Sequence, residues 1–425
     1  MTAHLPHVVA TDDKESTPKT SKRPMVCLVV PAESYRSADF VRAARSLRVD
    51  LVVASDGGVP MTDLGRSRTL NVDFERPEWS AARIAHLNPP PDAVIAGDDK
   101  GVVIAAMASH LLGIETNPVT AVSMTKDKAH MRGLLNSAGV RQPRFAMAAR
   151  RNTHTAANEL GYPCVVKPRG LSASMGVIRV DTPDEAEFAD GRIRRIIEHK
   201  GGDPEATLLV EEYVAGEEVA VEGLLTDGHL TVLAILDKPD PMVGPFFEET
   251  LFVTPSRHDD ETQHAIADIV ALAVRALGLV TGPIHAEVRL SEEGPVLIEI
   301  AARSIGGLCG RALSFGLLNE SLEALIIRSA LGMPGSGTES AVASTGVMML
   351  PIPRAGLLAE IGGVADAAAV AGVTEVDVTI PVGKPVVPLP EGDRYLGFIF
   401  AQGASPDAVE ASLREAYEAL DVRIA

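Results

Sequence analysis

"GPIHAEVRLSEEGPVLIEIAAR", residues 282–303, alternates apolar and polar groups on either side of a turn-forming S-E-E-G. That pattern predicts an antiparallel hairpin. With strands over 284–290 and 296–300 and the turn centred on Glu293, Glu287 and Glu299 fall opposite one another. Opposed side chains share a face, with Cβ atoms about 4.5–5.5 Å apart. Two like charges there repel, and the neighbours Ile284, Val288, Leu297, Ile298 and Ile300 keep the sheet from being freely solvated. A divalent cation would relieve the repulsion, since Mg²⁺ typically takes one or two carboxylates plus phosphate oxygens and water. An exposed Glu–Glu pair, or a register shifted by one residue, accounts for the same letters without a metal. His285 shares the Glu287 face; a lone histidine is more often packed or hydrogen-bonded structure than a ligand. Arg303, four residues past Glu299, could grip a carboxylate bidentately or form a surface ion pair.

Upstream, "CVVKPRGLSASMGV", residues 164–177, places Lys167 at the end of an apolar run. Its ammonium could meet a phosphate as a point charge. The Gly/Ser loop that follows lets backbone N–H groups approach an anion. A surface hairpin fits these letters too, and no G-x-x-x-x-G-K-[ST] is present. "VEEYVAGEEVAVEG", residues 210–223, offers a strand leaving a domain. Glu211, Tyr213 and Val214 suit an adenine edge and Glu218 suits ribose hydroxyls; an acidic solvated strand is the alternative.

The flanking segments set the organisation. Residues 25–120 alternate apolar runs with helical spacing, which predicts an α/β layer, and no G-x-G-x-x-G follows the first run. A helix is expected from Thr125 to a stop at Gly139, and "TDGH", residues 226–229, reads as a hairpin turn. "GMPGSGTES", residues 332–340, reads as a linker. The last ninety residues carry few candidate chemical groups. The 425 residues carry 39 basic and 57 acidic groups, a formal net charge of −18. That excludes a general nucleic-acid or anionic-membrane surface. No apolar stretch reaches 18 residues, so no membrane span is expected. Cys27, Cys164 and Cys309 show no metal or disulfide spacing, which fits a reducing cytoplasm. The start, residues 1–24, is polar and reads as a disordered tail without a secretion signal. The apolar content is compatible with a homodimer.

Taken in order, a lysine helix ("TKDKAHMR"), Lys167, the Gly/Ser loop, "EEYVAGEE" and "HAE…IEIAAR" resemble the ATP-grasp superfamily. The resemblance spans roughly residues 120–332 and implies an α/β and α+β ATP-grasp fold. Its parts would be an N-terminal α/β domain (25–120), a nucleotide-binding region (121–332, with a lid over about 140–212) and a C-terminal α+β domain (333–425). It implies that Lys128 and Lys167 contact the phosphates of ATP, and that the loop carrying Ser172, Ser174 and Gly176 forms a flexible cover. Glu211, Tyr213, Val214 and Glu218 would hold adenosine, and Glu287 and Glu299 would hold Mg²⁺ or Mn²⁺. Ala301 stands where many members have a further Asn ligand. This form, the "HAE" triplet, "GPFFEETLFVTPS" and the tail "YLGFIFAQGASPDAVEASLREAYEAL" are similar to the L-amino-acid ligase branch. That branch implies amide formation from small-molecule acid and amine substrates through an acyl phosphate. Arg303 and Lys238 would serve the reacting centre, and Glu249, His285, Arg303 and Gly307 the substrate. Phe252 replaces a His and Gly307 a bulky aromatic of dipeptide-forming relatives, which implies a different substrate size or polarity. Glycinamide-ribotide-ligase-like or carboxylase-like chemistry, or a non-catalytic nucleotide-binding regulator, are the alternatives; no biotin-carrier lysine motif is present.

Overall fold

The computed structural model describes residues 23–34, 36–57, 68–314, 320–334 and 344–425. Residues 1–22 of the expected tail and 335–340 of the expected linker lie outside them. The first unit comprises β1 (Met25–Val29), α1 (Ser37–Ser46), β2 (Asp50–Ser55), β3 (Arg68–Asn71), α2 (Pro77–Ala85), β4 (Ala93–Ala96) and α3 (Val102–Leu112). Its parallel sheet has the order β3-β2-β1-β4. The uninterrupted apolar run of β1 is buried at every position because it lies in the centre of the sheet. Strand order reverses between β1 and β4, so the loops after them open into one crevice, the usual ligand position in such sheets. β3 and α2 were not anticipated; β3 is a short polar edge strand with no apolar alternation to announce it.

α4 (Val119–Lys126) and α5 (Lys128–Ser137) follow. The helix expected from Thr125 starts instead at Lys128. Asp127 is extended, and its carboxylate caps Ala129 N–H at 3.0 Å, so Thr125 and Lys126 close the preceding helix. The region expected to form the lid comes next: β5 (Phe145–Ala148), α6 (Thr153–Leu160), β6 (Cys164–Lys167), β7 (Ile178–Val180), α7 (Pro183–His199) and β8 (Leu208–Glu212). Its antiparallel sheet has the order β5-β8-β6-β7, and Ala156, Ala157, Ala186, Ala189 and Ile193 of the two helices pack into its core.

The remaining elements are β9 (Glu217–Thr226), β10 (His229–Lys238), β11 (Leu251–Thr254), α8 (Asp260–Leu277), β12 (Gly282–Ser291), β13 (Gly294–Ala301), α9 (Gly310–Ser314), α10 (Leu322–Ala330), β14 (Ser344–Leu350), β15 (Gly356–Gly362), α11 (Val364–Ala369), β16 (Val373–Val378), β17 (Pro385–Val386), β18 (Gly397–Gly403), α12 (Pro406–Glu418) and β19 (Asp421–Ile424). An eight-stranded antiparallel sheet runs β13-β12-β9-β10-β11-β14-β18-β16. Among the described residues, β14, β16 and β18 of the C-terminal ninety residues therefore extend the central sheet, and β17-β15-β19 form a sheet apart. One face of β9, β12 and β13 is apolar. Val219, Val221, Ala286, Val288, Leu297 and Ile300 pack there against Ile266, Val270 and Val274 of α8. Among the described residues, no helix is long and apolar enough to cross a membrane.

Candidate functional site

The other face of those strands carries charge, arranged in rows by the register. In the first row Glu218 lies between Lys238 of β10 and Arg289 of β12; in the third, Glu222 faces His285, beside Ala301. The middle row reads Leu236, Ala220, Glu287, Glu299. The outer rows are neutralised within themselves: Glu218 accepts from Lys238 at 2.6 Å and Arg289 at 2.7 Å, and Glu222 meets His285 Nδ1 at 2.5 Å. The middle row has two carboxylates and no cation of its own.

Glu287 and Glu299 do face each other, but the turn is not centred on Glu293. Ser291 pairs with Gly294, so Glu292 and Glu293 form a two-residue turn. A β-bulge at Ile298 then shifts the register by one and restores the Glu287–Glu299 pairing. The bulge is held by a buried residue that the sequence did not single out. Arg132 of α5 donates to the carbonyls of Ile298 (2.6 Å) and Leu297 (3.4 Å), and forks onto both oxygens of Glu211 (2.6 and 3.2 Å). Glu211 also pairs with Lys167 at 2.6 Å. Burial would raise the Glu211 carboxyl, but Arg132 and Lys167 together hold it at about 2. Lys167 titrates below the usual lysine value because it is buried and lies beside Arg132 and Lys128, with Glu211 as its main compensation. Lys128 donates to Leu171 O at 2.8 Å and pairs with Glu299 at 3.1 Å.

Glu211, Glu218, Glu287, Glu299, Lys128 and Lys167 border one cavity of about 670 Å³. Lys128, Lys167, Ser172, Ser174, Glu211, Tyr213, Val214, Glu218, Glu249, His285, Glu287, Glu299, Arg303 and Gly307 all line it. Two expected site residues do not. The N–H of Gly176 is taken by Pro390 O at 3.0 Å, which makes it an anchor of the loop rather than part of the wall. Lys238 lies beneath the wall, its ammonium held by Glu218 and Glu249, with Glu287 at 3.9 Å. Burial opposes its charge, but those carboxylates keep it well above the usual lysine value. The carboxylates of Glu218, Glu249 and Glu287 lie within 4.8 Å of one another, and Lys238 is the cation already built into that knot.

In the cavity wall the Tyr213 and Phe247 rings stack at 6.4 Å, and the Arg289 guanidinium lies over both. Arg289 also takes the Val214 carbonyl (2.6 Å), and Pro163 O takes the Tyr213 N–H (3.2 Å). Arg303, Glu249, Phe252, Cys309 and Met349 also line the cavity. Gly307 has φ +59°, and a Cβ there would lie 2.9 Å from the Phe398 ring, so a side chain at 307 would need that ring to move.

Glu222 is the second residue missed. It is only 1% exposed, and besides His285 it accepts the N–H of Ile305 at 3.0 Å, tying the loop after Arg303 to the sheet. Burial disfavours the His285 charge, yet Glu222, with Glu287 beyond it, holds the imidazole at about 9. The third surprise is the first unit. Ser34, Arg36, Asp98, Asp99 and Lys100, from the loops after β1 and β4, also line the cavity. Asp99 pairs with Lys126 and lies 3.8 Å from Arg303. Burial would raise Asp99, but Lys126 and Arg303 hold it low. Burial opposes the Arg303 charge, which Asp99, Asp98, Glu299 and Glu222 reinforce. The tail expected to be chemically quiet supplies Met349, Asp393, Arg394 and Tyr395 to the wall.

The middle row suits a divalent cation. Among the described residues, Glu299 has Lys128 on one oxygen, and Glu287 has Lys238 and His285 Nε2 at 3.9 and 3.8 Å. Both side chains remain a quarter to a third exposed to the cavity, and burial notwithstanding, Lys238 and His285 keep Glu287 ionised.

Residues 160–312 match the ATP-grasp domain family, and residues 348–425 match L-amino acid ligase C-terminal domain 2. An alanine–anticapsin ligase of Bacillus subtilis is 30% identical over 233 residues, covering 51% of this chain and 49% of that protein. Carnosine synthase 1 of Gallus gallus is 29% identical over 57% of this chain and 28% of its own. The chain thus spans about half the length of the first curated relatives it matches. The crystal structure of an L-amino acid ligase from Bacillus licheniformis superposes with a TM-score of 0.79 at 24% identity, covering 95% of this chain and 100% of that one. A phosphoribosylglycinamide synthetase from Anaerococcus prevotii superposes at 0.69 with 15% identity, over 94% and 100%.

Proposed function

We propose that the chain, whose residues 160–312 match the ATP-grasp domain family and 348–425 L-amino acid ligase C-terminal domain 2, is an ATP-dependent carboxylate–amine ligase. It joins a small acid to an amine, one of them an L-amino acid, and releases ADP and phosphate. The observation that carries the reading is the meeting, in one cavity, of two phosphate-seeking lysines, a facing carboxylate pair, and the opposite charges of Arg303 and Glu249.

A carboxylate is a poor acylating agent until one oxygen becomes a leaving group. That oxygen attacks the γ-phosphorus, the bond to ADP breaks, and an acyl phosphate forms. The amine then attacks the acyl carbon, the C–O bond to phosphate breaks, and the nitrogen gives up a proton. Both steps spread negative charge over oxygens, so fixed positive groups aimed at those oxygens lower the barriers. Lys128 and Lys167 take the phosphates, and the loop with Ser172 and Ser174 covers them. Arg303 grips the reacting carboxyl or acyl phosphate, held in place by Asp99. Glu249 accepts an ammonium group, and the apolar wall of Phe252, Cys309 and Met349 receives the remainder of the substrate. Tyr213, Val214, Glu211 and Glu218 border adenosine; each Glu218 oxygen keeps a lone pair for a ribose hydroxyl after its bond to Lys238 or Arg289. Glu287 and Glu299 would hold Mg²⁺ or Mn²⁺, which when bound supplies Lewis-acid charge neutralisation. Ala301 offers no ligand, so remaining coordination falls to water and phosphate oxygens. His285, charged at neutral pH, orients Glu287, and Lys238 balances the carboxylates from beneath. Buried, unpaired Cys27, Cys164 and Cys309 support a reducing, cytoplasmic setting.

Phosphate release across a matrix of amino acids and other small acids and amines tests this. ADP and an amide should appear together with at least one pair, and hydroxylamine should trap the activated acid as its hydroxamate. Tight Mg·ATP binding without turnover for any pair would sink the reading.

A further inference from the structure

The lid meets the C-terminal region at one short loop, residues 388–394, between β17 and β18. Its Pro390 carbonyl accepts Gly176 N–H at 3.0 Å, at the end of the phosphate-covering loop. Glu391 receives both Nε and Nη2 of Arg192, at 2.6 and 3.0 Å. Asp393 receives Lys200 Nζ at 2.8 Å. Arg192 sits on α7 and Lys200 just past its end, so both lid cations reach the same loop. Arg192 also stacks on the Phe246 ring at 4.8 Å, joining the lid helix to the segment that carries Glu249. The loop then continues into the cavity wall through Asp393, Arg394 and Tyr395.

We propose that loop 388–394 is the clasp that seats the lid over the nucleotide, with Glu391 and Asp393 as positioning residues for the reaction. The proposal rests on the ligase reading of the cavity. The four ionic side chains are 26–40% exposed, so each pair contributes little on its own. Weak pairs suit a cover that must open once per turnover to release ADP. Their alignment with the Gly176 bond sets where the cover closes. A closed cover also excludes water from the acyl phosphate. With the cover open, water attacks the acyl carbon, the C–O bond to phosphate breaks, and the free acid and phosphate return. ATP is then spent without an amide.

Charge reversal tests the clasp. In Arg192→Glu and in Glu391→Arg, amides of residues 170–177 should exchange hydrogen about three- to ten-fold faster than in wild type with Mg²⁺ and a non-hydrolysable ATP analogue. The ADP released per amide formed should rise over wild type in the same variants, with the melting temperature unchanged. The double variant Arg192→Glu/Glu391→Arg should recover both readings. Single variants that match wild type in exchange and ratio, or a double variant that recovers neither, would overturn the clasp. Exchange needs only nucleotide binding, so a wild-type protein that forms no amide counts against the ligase reading and leaves the clasp to be judged on exchange.

Discussion

The charged face of β9, β12 and β13 and the lid of β5 to β8 both rely on ion pairs, with opposite consequences. On the sheet face, Glu218, Glu222, His285 and Arg289 are each under a tenth exposed, and each pair has close polar contacts. Buried pairs of this kind are costly to break, because the partner left behind is a desolvated charge. At the lid edge, Arg192–Glu391 and Lys200–Asp393 are solvated, and either can be lost at little cost. The floor of the site is thus fixed by its charges, and the cover is not; under the proposed ligase chemistry, placing charge before the reaction and then releasing a nucleotide calls for both.

Four measurements would break or sharpen that contrast. Glu222→Ala removes the partner of His285 and the acceptor of Ile305 N–H. It should cost about 3–5 kcal/mol, seen as a large drop in the denaturation midpoint; a drop as small as the lid variants give would erase the distinction. Glu299→Gln should keep the fold but lower kcat by about 10²–10³-fold, with a weakened dependence on Mg²⁺. Wild-type turnover there would remove the middle row from the chemistry. His285 titrates at about 9 against an ordinary value of 6.5. Its raised value means its contribution, on the order of 3 kcal/mol, is complete below pH 6.5 and lost as pH climbs through 9. Stability should therefore fall over that window in wild type, and His285→Gln should flatten the slope; an unchanged slope would place the titration elsewhere. Smallest of all, Arg192→Ala and Lys200→Ala should each change stability by about 0–1 kcal/mol, and a midpoint shift rivalling Glu222→Ala would make the lid as fixed as the floor.

The hairpin of β12 and β13 shows how far local pattern reaches. Period-two alternation put Glu287 opposite Glu299, and they are opposite, but by a different route. A two-residue turn and a bulge at Ile298 offset one another. The bulge was invisible in "VLIEI" because every letter there suits a strand; Arg132, more than 160 residues upstream, holds it open. Lys238 shows the converse. The resemblance implies that it serves the reacting centre, whereas three carboxylates hold its ammonium under the wall. Asp98 and Asp99 went unnoticed because a loop after a parallel strand has no periodicity, and their value comes from docking against Arg303.

By itself, the amino-acid sequence determined the β12–β13 hairpin, the lysines at Lys128 and Lys167, the Gly/Ser loop and the order that marks the ATP-grasp fold. Each of these depends on neighbours a few residues away, where alternation, capping and turn chemistry act. Only the tertiary structure decided which charge neutralises which. Glu222 and His285 are 63 residues apart, Arg132 and Glu211 are 79, and Arg192 and Glu391 are 199. Such pairings follow from strand order in an eight-stranded sheet and from how the lid and C-terminal loop dock, and no local pattern of letters encodes them.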